Sequence, residues 1–217
     1  MLALFFTAVF VPLVAAQDLW SLQCPTGWTM FTRSGNRLVC LAYFPITSTL
    51  NPDLVCAQAQ PYASVAGYEL DSEKAWLMET ARADFTKRGI EDGGVWIGAE
   101  QSPYCNQTAG CWYRNYFLWS DGFTLGFQQM LEANWLPGNP DSQTNVIASG
   151  EHCLELLIST ANSNRTDVHG KLDDISCTAK TSLAIFNNPL LPVQPWEPRS
   201  VLCGMRLYDG YTVVADA

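Results

Sequence analysis

Eight cysteines, all lying between Cys24 and Cys203 of a 217-residue chain, constrain the possible folds more than any other feature. They follow an apolar opening. Residues 1–16 run from Met1-Leu2-Ala3-Leu4-Phe5-Phe6 to Val14-Ala15-Ala16, a small-residue ending typical of a cleaved secretory leader, and Gln17-Asp18 begins a polar chain. The run is too short to span a bilayer, and no later stretch is long and apolar enough to do so. A chain sent to an oxidising compartment pairs an even number of cysteines, so four disulfides are expected, although the sequence does not choose among the possible pairings. Residues 17–217 are enough for one domain with a substantial core.

The formal net charge is −9 and the pI about 4.5. Binding nucleic acid through its phosphates needs a basic face, so that class is excluded, whereas an acidic chain attracts cations. The sequons Asn106-Gln107-Thr108 and Asn164-Arg165-Thr166 fit the exported compartment and predict surface loops.

Two helices are predicted. Asn51 is placed as an N-cap with Pro52 at the first helical position, and that helix carries Val55, Cys56 and Ala59 inward before stopping near Pro61. The second begins after Asp71-Ser72, shows Leu77, Met78, Ala81 and Phe85 as one stripe, and ends at Gly89. Short strands are predicted at Val95-Trp96-Ile97-Gly98, Tyr116-Phe117-Leu118-Trp119, His152-Cys153-Leu154-Glu155-Leu156 and Val201-Leu202-Cys203-Gly204-Met205-Arg206-Leu207. Residues 187–199 carry Pro189, Pro192, Pro195 and Pro198 and predict an irregular excursion. This order implies an α+β fold, two helices set apart from antiparallel strands, with long loops held by disulfides.

The stretch from Trp135 to Cys177 is rich in oxygen ligands: Asn139-Pro140-Asp141, then Glu151-His152-Cys153, then Asp173-Asp174-Ile175-Ser176-Cys177. Ca²⁺ takes about six to eight oxygens, and one amide with four carboxylates is a partial supply.

The landmarks, in order, resemble the C-type lectin-like domain in its long form over nearly all of residues 17–217. Cys24-Pro25-Thr26-Gly27-Trp28 with Cys40-Leu41-Ala42-Tyr43-Phe44 is similar to the family's amino-terminal hairpin. Ala63-Ser64-Val65 and the run from Glu69 to Leu77 resemble its link into the second helix, Val95-Trp96-Ile97-Gly98 its Trp-Ile-Gly strand, and Trp119-Ser120-Asp121-Gly122 its Trp-x-Asp-Gly turn. The resemblance implies disulfides Cys24 to Cys40, Cys56 to Cys203, Cys153 to Cys177 and Cys105 to Cys111. It also implies a Ca²⁺ and sugar site at Asn139, Asp141, Glu151, Asp173 and Asp174, where a cis proline, Pro140, separates the first two.

Three residues depart from the sugar-binding pattern: Asn139 stands for a longer Glu or Gln, Leu172 for a tryptophan, and Asp173 for an asparagine. The family's sugar-binders let vicinal hydroxyls complete the Ca²⁺ shell, and an amide before the proline with an acid after it keeps the order of the galactose-type triplet. The implied function is a secreted, Ca²⁺-dependent carbohydrate-binding lectin of galactose-type preference that binds glycans or glycoproteins. The alternative is a calcium-independent module of the same fold that binds protein.

Catalysis is not expected. His152 and His169 are few and far apart, and no base partner is evident. Asp173 and Asp174, as neighbours on an extended segment, point to opposite faces, whereas a glycosidase needs two carboxyls facing one bond. In the aromatic cluster Trp112, Tyr113, Tyr116, Phe117 and Trp119, the alternate members Phe117 and Trp119 are expected in the core, with Trp112 and Tyr113 capping the Cys105 loop.

Overall fold

Both helices start and stop for local reasons. The computed structural model describes residues 23–46, 51–103, 105, 116–140, 152–177 and 197–207. Helix α1 (Pro52–Ala59) opens where the Asn51 Oδ1 accepts from the Asp53 N–H at 2.9 Å, with Pro52 in the first turn. Pro52 and Cys56 are its buried residues, and Val55 and Ala59 are half-buried.

Helix α2 (Asp71–Arg88) starts slightly earlier than the sequence suggests. Leu70 occupies the cap position and has no acceptor to offer. The Glu73 carboxylate supplies one instead, accepting from the N–H groups of Glu69 at 2.6 Å and Leu70 at 3.2 Å. At the other end Gly89 takes φ 69° and closes the helix. Leu77, Ala81 and Phe85 are buried as predicted, whereas Met78 is half-buried.

The strands are β1 (Thr29–Arg33), β2 (Arg37–Pro45), β3 (Ser64–Val65), β4 (Asp92–Gln101), β5 (Phe117–Trp119), β6 (Cys153–Ser159), β7 (Leu172–Ile175) and β8 (Pro198–Arg206). They form one sheet in the order β1-β2-β8-β4-β6-β7, with β3 paired to β8 and β5 to β4. The pairings are antiparallel except β4 with β8, so the sheet is mixed. The irregular excursion also ends sooner than expected: Pro198 and Arg199 already belong to β8. A proline is tolerated as the first residue of a strand, where its missing N–H breaks no inner ladder bond.

Alternation along the strands distributes side chains to two cores. Val95 and Ile97 of β4, Leu154, Leu156 and Ile158 of β6, and Leu202 of β8 join Leu77, Ala81 and Phe85 of α2. The intervening Trp96, Cys153, Val201 and Cys203 join Cys56 of α1. Each helix therefore covers a different face. Where β4 leaves β8, the Gly98 N–H donates to the Ala66 carbonyl at 2.9 Å, and a Cβ on Gly98 would collide with the Val65 carbonyl. Only glycine permits that approach, which explains its place after Trp96-Ile97.

Disulfides Cys24–Cys40, Cys56–Cys203 and Cys153–Cys177 are formed. Cys105 is also disulfide-bonded, and Cys111 lies outside the described residues. Asn164 is exposed, as a sequon requires, while Asn106, the leader, Trp112 and Tyr113 lie outside the described residues. Phe117 is core, and Trp119 is half-buried, its indole N–H donating to the Gly126 carbonyl at 2.9 Å.

Candidate functional site

The segment carrying Asn139 is positioned by a buried tryptophan. Trp135 packs its ring 5.6 Å from Phe117 and donates its indole N–H to the Met130 carbonyl at 2.9 Å. It lies beside Leu172 as a parallel bridge, and the next residue, Leu136, donates its N–H to the Leu172 carbonyl at 2.9 Å. Leu172 is fully buried in the α2-side core. Its departure from tryptophan thus has a packing role: Leu172 fills the space beside Trp135 and Leu156.

A tight turn then delivers Asn139. Its N–H donates to the Leu136 carbonyl at 3.0 Å, with Pro137 and Gly138 between and Gly138 at φ 98°. Proline followed by a glycine of positive φ is what a type II turn demands. A Cβ on Gly138 would meet nothing within 4 Å, so Gly138→Ala changes backbone freedom without a clash. We expect that variant to lose about 1–2 kcal/mol in urea unfolding, the cost of left-handed backbone for an L residue; an unchanged midpoint would refute this turn.

The Asn139–Pro140 peptide is cis. From it the Asn139 amide reaches across 34 residues of sequence and donates Nδ2–H to Oδ1 of Asp173 on β7. Asp173 and Asp174 are 7% and 2% exposed. By strand alternation Asp173 shares the face of Ile175, opposite Glu155, and Asp174 shares that of Leu172, opposite Leu154. Two acids on opposite faces do not form a pair around one scissile bond.

Of the five residues proposed from sequence, Asn139 and Asp173 are in contact, Asp174 is next to them on β7, and Asp141 and Glu151 lie outside the described residues. Among the described residues no three His, Cys, Asp or Glu side chains gather into a metal cluster. The three described donors nonetheless suit a hard cation in kind, an amide oxygen and two carboxylates. His152 adjoins Cys153 at the start of β6 and is half-buried, and its Nδ1 has no hydrogen-bond partner. His169 accepts at Nδ1 from the Ser159 N–H at 3.1 Å. Burial, followed by the Arg82 and Lys74 charges, holds its pKa below the usual value.

Sequence reasoning passed over two features here. Trp135 reads only as a marker for the segment, although it packs on Phe117 and bridges to Leu172 just ahead of Asn139. Lys74, Arg82 and His169 meet along the outer side of α2, and charged residues on a helix read as an ordinary solvated face.

A family model described as C-type lectin domain-containing protein 141/158 matches residues 34–206. Among solved structures, the C-type lectin CEL-I from Cucumaria echinata is 18% identical, with 86% of this chain and 99% of that chain covered and a TM-score of 0.51. Human lithostathine is 19% identical over 85% of this chain and 92% of that one, at a TM-score of 0.47. No curated protein matches the sequence.

Proposed function

Since the chain belongs to the C-type lectin domain-containing protein 141/158 family, whose members bind rather than catalyse, we propose that it is a secreted lectin that binds carbohydrate with Ca²⁺ at Asn139, Asp141, Glu151, Asp173 and Asp174. The observation that carries this reading is the Asn139 amide meeting Asp173 beside the cis Asn139–Pro140 bond. With its nitrogen engaged by Asp173, the Asn139 side chain retains its oxygen as a ligand. When bound, Ca²⁺ would supply open coordination positions for two vicinal hydroxyls. Asn139 then offers its second N–H to a hydroxyl and the carboxylates accept from one, the order that favours a galactose-type sugar.

Secretion is supported by the leader at residues 1–16 and by the disulfides. Among the described residues no helix is long and apolar enough to cross a membrane.

Calcium titration by calorimetry and thermal unfolding tests the reading. A cation present at a hundred times its dissociation constant should add about 2.7 kcal/mol of stability, and both Asp173→Asn and Asp174→Asn should remove most of that gain. Immobilised galactose should retain the protein in Ca²⁺ and release it with chelator. No heat and no stabilisation at millimolar Ca²⁺ would favour the calcium-independent, protein-binding module instead. Tighter Ca²⁺-dependent retention on mannose would overturn the galactose preference alone.

A further inference from the structure

A second site lies along the outer side of α2. A groove of about 790 Å³ runs there between the helix and the turn before β7, floored by Ala75, Met78 and Ala83 and flanked by Lys74, Arg82 and His169. Met78 is pinned against Gly170, where an added Cβ would run into the thioether. The chain as a whole carries −9, whereas the groove is lined by two bases, Lys74 and Arg82, and two acids, Asp71 and Glu79. Lys171, from the same turn, adds a third cation near Lys74 while donating to the Ala133 carbonyl at 2.6 Å.

With Lys171 counted, cations outnumber acids here by three to two. Among the described residues Arg82 makes no ion pair, and its Nε–H is buried with no hydrogen-bond partner. Lys74 donates one hydrogen bond, to Asn134 Oδ1 at 2.9 Å, and has donors to spare. Of the two acids on this side, Asp71 is engaged by Gln129 Nε2 at 2.8 Å, and Glu79 is exposed to solvent. A buried donor on a charged group without an acceptor is costly, and a planar guanidinium matches the paired oxygens of a carboxylate or sulfate.

We propose that this groove binds an acidic sugar, its carboxylate or sulfate held by Arg82 and Lys74 and its apolar ring face lying on Met78. The volume suits a mono- or disaccharide. That the occupant is an anion follows from Arg82 and Lys74; that it is a sugar rests on the lectin reading above.

Burial, reinforced by Lys171 and opposed by Asp71, pushes the Lys74 ammonium down to about 8. A bound anion favours its protonated form. Affinity is therefore full below that pKa and falls as the pH rises through it. The other titratable and charged groups facing the groove are Asp71, Glu79, Arg82 and His169, and the His169 pKa is held below its usual value by burial, then by Arg82 and Lys74.

The experiment is calorimetric titration of the full mature chain with a heparin-derived sulfated disaccharide and with its desulfated counterpart, both in excess chelator so that the loop site takes no part. The sulfated probe should bind, and the desulfated one at least about tenfold more weakly. Arg82→Gln and Lys74→Gln should each weaken binding about tenfold with an unchanged thermal midpoint, Arg82→Lys should recover only part, and Lys74→Gln should flatten the loss of affinity above about pH 8. No binding of the sulfated probe, equal binding of the two probes, or full binding by Arg82→Gln would overturn the proposal. A sulfated probe that bound only in Ca²⁺ would do the same, since it would assign the ligand to the Asn139 loop.

Discussion

Replacing Cys56 and Cys203 together by serine should remove about 5 kcal/mol of stability. The bond joins α1 to β8 across a sequence separation of 147, and in the chain-entropy model a loop that long confers close to that amount by restricting the unfolded chain. Cys24–Cys40, with a separation of 16, should confer about 3 kcal/mol by the same reasoning. Both sulfurs of the long-range bond are fully buried among Val65, Trp96 and Val201, so two serine hydroxyls would also be left in an apolar setting. Small domains have only about 5–15 kcal/mol in total, so the double variant should be largely unfolded or close to it at 37 °C. Urea unfolding of both disulfide variants checks this, and equal losses for the long and short loops would rule it out.

Glu73→Gln should cost about 3–5 kcal/mol, because it leaves the Arg33 charge buried without its counter-ion. Both side chains are 0% exposed, and the pair is bidentate, Arg33 Nε and Nη2 donating to the two Glu73 oxygens at 2.7 and 3.0 Å. Arg33 also donates to Thr124 Oγ1 at 2.9 Å and to the Gly67 carbonyl at 3.0 Å. The Glu73 carboxylate caps α2 at the same time.

One charge pair thus joins the end of β1, the start of α2 and the turn after β5. Asp121 strengthens the same junction, accepting from the N–H groups of Gly67, Phe123 and Thr124 at 2.8, 3.0 and 2.8 Å. Replacing both members, Arg33→Met with Glu73→Leu, should recover part of the loss, since no charge is then stranded. A double variant that adds the two single losses would show that the pair acts through capping and packing rather than charge.

The elements that could be read from the sequence are those whose signals lie within a few residues. Asn51-Pro52 announces α1, the stripe Leu77, Ala81 and Phe85 announces α2, and Gly89 ends it, because caps and helical periodicity are local. The disulfides came from likeness to a known family, since pairings across a long separation leave no local trace. Strand β7 was hidden for a physical reason. Leu172 and Ile175 are its apolar members, three apart rather than two, and the acids between them read as loop ligands. Burial of Asp173 and Asp174 depends on partners in β6 and in the Asn139 segment that lie far away in the chain.

The candidate loop site divides in the same way. The residue types, the proline between Asn139 and Asp141 and the cysteines after Glu151 and Asp174 were all visible beforehand. That Asn139 meets Asp173 was not, because it needs Trp135 seated on Phe117 and Leu136 hydrogen-bonded to Leu172. The α2 groove left no sequence signal. Lys74, Met78 and Arg82 recur every four residues as on an ordinary amphipathic helix, and what makes a groove beside them is the turn carrying His169, folded against them between β6 and β7. Caps and periodicity thus announced the helices, and the sequence supplied the oxygen-bearing side chains near Asn139 and Asp173. Which of those atoms face one another was left to packing, since side chains separated by tens of residues acquire a common environment only once the sheet has closed.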